Sequence, residues 1–120
     1  MSVSDAAVYP ELARANLLRM RGDYKAAERY FNEAHVQSPG NFPSSNSLAL
    51  VLVEADSKAD RQRALEMAEA NVAMHREGSP FQIGALTTLA WVYYKAGRRE
   101  DAEKILTQIT QNNQLSTDGA

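Results

Sequence analysis

Two stretches of this chain carry the same spacing of residues, and that repetition narrows the possible folds more than any other feature. Gly22 is followed after five residues by Ala27, after four more by Phe31 and after three more by Ala34. Gly97 is followed at the same intervals by Ala102, Leu106 and Ile109, 75 residues further on. The match extends upstream, with Ala15 and Leu18 before the first glycine and Ala90 and Tyr93 before the second. Repetition at a fixed interval is the mark of a chain built by stacking copies of one supersecondary unit.

The unit reads as helix–turn–helix. Apolar positions three and four apart form one stripe of a helix. Gly22 and Gly97 stand where a first helix must end, because glycine takes the left-handed conformation of a helix terminus without a steric cost. Asp23 is placed to cap the helix that follows. The small Ala15, Ala27, Ala34, Ala90 and Ala102 let helices approach closely, with Phe31, Tyr93 or Leu106 filling the space beside them. Pro39 stops the second helix, and Ser79 and Pro80 read as N-cap and first residue of the fifth.

A middle copy is expected and is weaker: Leu48, Ala49 and Leu52 fit a first helix, Ala64 and Ala68 a second. From Ala49 to Ala64 is fifteen residues, against twelve from Ala15 to Ala27, so the middle turn has three residues more and lacks the glycine. The pattern predicts helices near 7–21, 24–37, 44–56, 60–77, 80–96 and 99–112 and no strand. The fourth is a turn longer than the others and is ended by Gly78. The chain is thus one all-α domain of three antiparallel hairpins, about 7–39, 43–78 and 79–112.

These residues resemble the tetratricopeptide repeat (TPR) family. Ala15, Leu18, Gly22, Tyr24, Ala27, Phe31, Ala34 and Pro39 follow its pattern, as do Leu86, Leu89, Ala90, Tyr93 and Ala102. Glu11, Arg14 and Asn71 depart from it. The segment LAWVYYKAGRREDAEKIL is also similar to repeats of large bacterial TPR proteins of envelope and exopolysaccharide export systems. The resemblance implies a right-handed solenoid whose first helices line a concave groove that binds peptides and proteins. Carried over by position, the groove residues are Leu12, Asn16 and Arg19, then Asn46, Leu50 and Val53, then Thr87, Trp91 and Tyr94. The family's lysine-and-asparagine clamp for a C-terminal carboxylate is not expected, because Leu12 stands where its lysine belongs.

Charge and chemistry point the same way. Thirteen basic and fifteen acidic residues leave a net charge of −2, without the positive field that nucleic acid or an anionic membrane requires. There is no cysteine, and the longest apolar run, Leu48–Val53, is far short of a bilayer span. His35 and His75 have no metal-ligand partners at suitable spacing and read as solvated or half-packed. Ser44, Ser45 and Ser79 are explained by helix capping. Glu66, Glu69, Glu100, Asp101 and Glu103, set beside Arg61, Arg63, Arg98, Arg99 and Lys104, form ordinary solvated helix faces. No enzyme activity, cofactor or metal is therefore expected.

The favoured function is a scaffold that holds a peptide or protein. The alternative is a regulatory or spacer segment attached to a catalytic domain outside these 120 residues. Trp91 has two readings, as a core filler or as a groove anchor of the kind that dominates binding hot spots. Residues 113–120 read as a tail or as the start of a seventh helix, with Ser116 or Thr117 as its cap. On that reading the chain is a segment of a longer protein, with a compartment of cytoplasm or bacterial envelope left open. Ile105, Leu106 and Ile109 then lack a covering helix, and self-association through that face is expected.

Overall fold

The computed structural model describes residues 3–118, with side chains from 9 to 111. Six helices account for nearly all of them, and there is no strand among the described residues. They are α1 (Val3–Met20), α2 (Tyr24–Gln37), α3 (Phe42–Leu52), α4 (Lys58–Met74), α5 (Gln82–Lys95) and α6 (Arg99–Asp118). Each helix packs against the next along the chain, and α3 also touches α5.

The two glycine turns are built alike. Gly22 and Gly97 have φ of 82° and 81°, in the left-handed region. At the first turn Asp23 N donates to Leu18 O and Gly22 N to Arg19 O; at the second, Arg98 N donates to Tyr93 O and Gly97 N to Tyr94 O. Those paired bonds are the Schellman closure, which satisfies carbonyls that a helix end would leave orphaned. Asp23 Oδ1 then accepts from Ala26 N at 3.3 Å and caps α2.

The small-residue positions end up where two helices meet. Ala15, Ala27, Ala34 and Ala64 are fully buried, and Ala68, Ala90 and Ala102 nearly so. Phe31, Leu48, Leu52, Leu86 and Val92 fill the space between them. Leu65, Leu89 and Tyr93 join the same continuous core, so the two outer helix pairs are linked through the middle one.

Several boundaries differ from the expectation, each for a local reason. α3 begins at Phe42 because Asn41, not Ser44 or Ser45, is its cap: Asn41 Oδ1 accepts from Ser44 N at 3.0 Å. Both serines are buried inside the helix instead. Ser45 Oγ makes a 3.0 Å bond to Asn71 Oδ1 on α4, which explains a polar residue where the repeat pattern wants a small apolar one. α3 also stops at Leu52, four residues early, and Ser57 caps α4 by accepting from Asp60 N. The expected end of α4 at Gly78 moves back to His75, and Gly78 adopts its positive φ in the connecting loop. Nor is α4 longer than the others, as expected from its pattern: its 17 residues exceed the 14 of α2 but fall short of the 18 of α1 and the 20 of α6.

Ser79 and Pro80 do not start α5. Ser79 Oγ accepts from Phe81 N in a tight local turn, and the helix begins at Gln82 without a side-chain cap. α1 starts at Val3, ahead of residue 7, and carries Pro10 within it. α6 likewise runs past residue 112 to Asp118, so Ser116 and Thr117 lie within it and cap no seventh helix. Residues 111–118 contain no glycine or proline, and their polar side chains cost a helix only a few tenths of a kcal/mol each.

Candidate functional site

The fifth helix has two different faces. Leu86, Leu89, Ala90 and Tyr93 are buried on one side. Thr87, Trp91 and Tyr94, spaced i, i+4, i+7, lie along the other and are exposed. Trp91 is 44% and Tyr94 53% exposed. Of the two readings of Trp91, the core one therefore fails on packing grounds.

The exposed aromatics are held in order. Their rings stack at 5.9 Å with an interplanar angle of 24°. Lys95 Nζ lies 5.5 Å from the Trp91 ring centroid and 3.3 Å from Glu54 Oε2 in the turn after α3. That ion pair is partly exposed, so its own contribution is small. Its effect is positional, placing a cation against the π face of the indole. Lys95 was not among the expected site residues, although its i+4 spacing from Trp91 was available in the sequence.

Beside this pair runs a trough of about 820 Å³ between α5 and α6. Thr87, Ala90, Trp91 and Tyr94 line it from α5, Ala102 and Leu106 from α6. Arg99 and Glu103 add one charge of each sign. Leu106 is 52% exposed, an apolar side chain with solvent over half its surface.

The other six residues expected in a groove divide. Leu12 and Val53 are 6% and 2% exposed and belong to the hydrophobic core, so neither presents surface to a ligand. Apolar side chains at the junction of several helices are drawn inward whatever the repeat register suggests. Asn16, Arg19, Asn46 and Leu50 are half-buried. Arg19 Nη2 donates to Asn16 Oδ1 at 3.3 Å, while Arg19 Nε and Asn46 Oδ1 are buried without a partner among the described residues.

A second hollow, of about 510 Å³, has a mixed lining, with Glu69, His75, Arg76, Gln82, Tyr93 and Gln108 beside Val72, Leu86 and Leu89. Tyr93 Oη donates to Glu69 Oε2 at 3.1 Å, and the Arg98 guanidinium lies 4.6 Å from the Tyr93 ring centroid. Burial, with the neighbouring Glu69 charge, raises the Tyr93 pKa, so its phenol stays a donor. His75 sits edge-on to Phe42 and Phe81, at 5.0 and 5.3 Å between centroids. This aromatic cluster joins residues from three separate segments and had no signal in local spacing. His35 is half-buried, and its pKa is lowered by burial and then by the nearby charge of Arg63.

No helix among the described residues is long and apolar enough to cross a membrane. Comparison of the sequence with models of known protein families gives no match, and comparison with curated proteins gives none.

Proposed function

We propose that this chain is a protein–protein interaction module that holds a peptide or protein segment against Trp91 and Tyr94. In this reading the six helices are three antiparallel hairpins stacked as a right-handed TPR-type solenoid, and the chain binds rather than catalyses. The observation that carries the reading is the stacked, half-exposed aromatic pair at the rim of an apolar trough. Large aromatics left in water forgo burial that an apolar side chain of about their size would gain in a core. Trp and Tyr in such positions are the residue types most enriched at binding hot spots. Half-buried Asn16, Arg19 and Asn46 supply hydrogen-bonding groups further along the first helices, suited to a polypeptide main chain.

The test is Trp91→Ala. Truncating one anchor of this kind costs about 2 kcal/mol or more of binding, which is at least tenfold in affinity. Candidate partners captured on the immobilised chain should therefore bind Trp91→Ala at least tenfold more weakly, with Tm almost unchanged. A marked fall in Tm, as expected when a core aromatic is lost at about 3–5 kcal/mol, would sink the anchor assignment.

A further inference from the structure

Two apolar faces are left exposed, one along α1 and one between α5 and α6. Shifting the numbering by 75 residues superposes the last helix pair on the first: Ala90 on Ala15, Ala102 on Ala27, and Leu106 on Phe31. In the first pair all three positions are fully buried, and α3 packs against α2. In the last pair the alanines line the trough and Leu106 is 52% exposed. By the same shift, the α6 side of the trough corresponds to α2, the helix on which α3 packs.

The second exposed apolar face is on α1. Tyr9, Ala13, Leu17 and Met20 are all exposed and are spaced i, i+4, i+8, i+11, which sets them along one helix face. Leu17 is 57% and Met20 78% exposed. Leu17 aligns with Val51 of α3, by the 34-residue shift that superposes Ala15 on Ala49, and with Val92 of α5, by the 75-residue shift. Those two valines are 1% and 0% exposed. Val51 borders Tyr24, Lys25 and Glu28 of α2, so this helix face is the one α3 turns toward the preceding pair. On α1 the same face is apolar and uncovered.

We infer that copies of this chain associate end to end, α1 of one copy seating in the α5–α6 trough of the next. The occupant is a second copy because the interface continues a contact the chain already makes with itself between successive helix pairs. The trough's Arg99 and Glu103 add no net charge that would select an ionic partner. The contact is heterologous, joining two different surfaces, so each added copy leaves one free end of each kind. Assembly then proceeds to longer oligomers with rising concentration and does not stop at a symmetric dimer. This surface differs from the peptide site in its central residues: Leu17 and Leu106 carry it, while Trp91 and Tyr94 lie at its margin.

The experiment is sedimentation over a concentration series, with Leu17→Glu blocking the α1 face and Leu106→Glu blocking the trough. Both side chains are more than half exposed, and circular dichroism melts check that each variant keeps its fold. The unaltered chain should show an average mass that climbs above the 13.2 kDa of one copy. Each variant alone should stay at one copy. An equimolar mixture should form a two-copy complex and go no further, since it contains one intact α1 face and one intact trough. The inference is overturned by an unaltered chain that stays monomeric throughout. It is equally overturned if Leu17→Glu alone dimerises, which would mean trough-to-trough pairing, or if the mixture remains monomeric. Loss of peptide binding in Trp91→Ala with assembly intact would separate this inference from the proposed function, as would the reverse result in Leu106→Glu.

Discussion

Phe31 and Leu106 occupy the same place in two copies of one pattern, yet one is sealed and the other is half in water. The turns that precede them match in glycine conformation and in hydrogen bonding. The alanines beside them match as well. What differs is company. α2 packs against both α1 and α3, while the extensive contacts of α6 are with α5. Burial at a repeat position is therefore a property of the pair of surfaces, and a large apolar residue there is core only where a neighbour covers it. Where none does, the same kind of side chain is left in water.

The sharpest way to break that comparison is to truncate both residues. Phe31→Ala should cost about 3–5 kcal/mol in urea unfolding, from lost transfer energy and the cavity left behind. Leu106→Ala should stay within roughly 0.5 kcal/mol, measured at a concentration where the chain is monomeric. Equal costs would mean that the α6 face is covered, and the contrast between the two pairs would collapse.

The turns sharpen the comparison by being alike. Gly22 and Gly97 both have φ near +80°, and a Cβ at either would meet nothing within 4 Å. Alanine at these positions is disfavoured by backbone conformation alone, at about 1–2 kcal/mol. Gly22→Ala and Gly97→Ala should lower stability by similar amounts. A neutral effect at one and a loss at the other would show that the two turns are held differently.

The smallest effect concerns His35 on α2. Its folded pKa lies below the ordinary value of about 6.5, because burial and Arg63 disfavour the charged ring. The unfolded chain then binds the proton more readily than the folded one. Stability from this group is complete above the ordinary value and declines as pH falls from there toward the lower folded value. Comparing Tm at pH 7 and pH 5.5 should show a slight drop, smaller in His35→Gln. An unchanged pH dependence in the variant would remove His35 from the account.

How much was legible in advance depends on how local each cause is. The helical class, the two glycine turns and the Asp23 cap were readable, since each rests on interactions within about six residues. The buried alanines were readable because their 3–4 spacing marks one stripe. The starts of α3 and α5 were misplaced, because Asn41 caps α3 in place of Ser44 or Ser45, and the Ser79 hydroxyl accepts from Phe81 N in a local turn instead of capping α5. Only geometry decides among them. Leu12 and Val53 were assigned to a groove by position and are core by packing.

From its sequence alone the chain is determined to be helical, to turn at Gly22 and Gly97, and to have apolar stripes that need a partner surface. Periodicity and backbone conformation act between near neighbours, and these are printed in the order of residues. Which stripes are satisfied was decided by the tertiary structure. α3 packs on α2, where Phe31 is sealed, Ser45 of α3 reaches Asn71 across 26 positions, and Leu17, Trp91 and Leu106 are left facing solvent. Apolar burial depends on area removed from water by groups distant in the chain, and the local order of residues does not contain that distance.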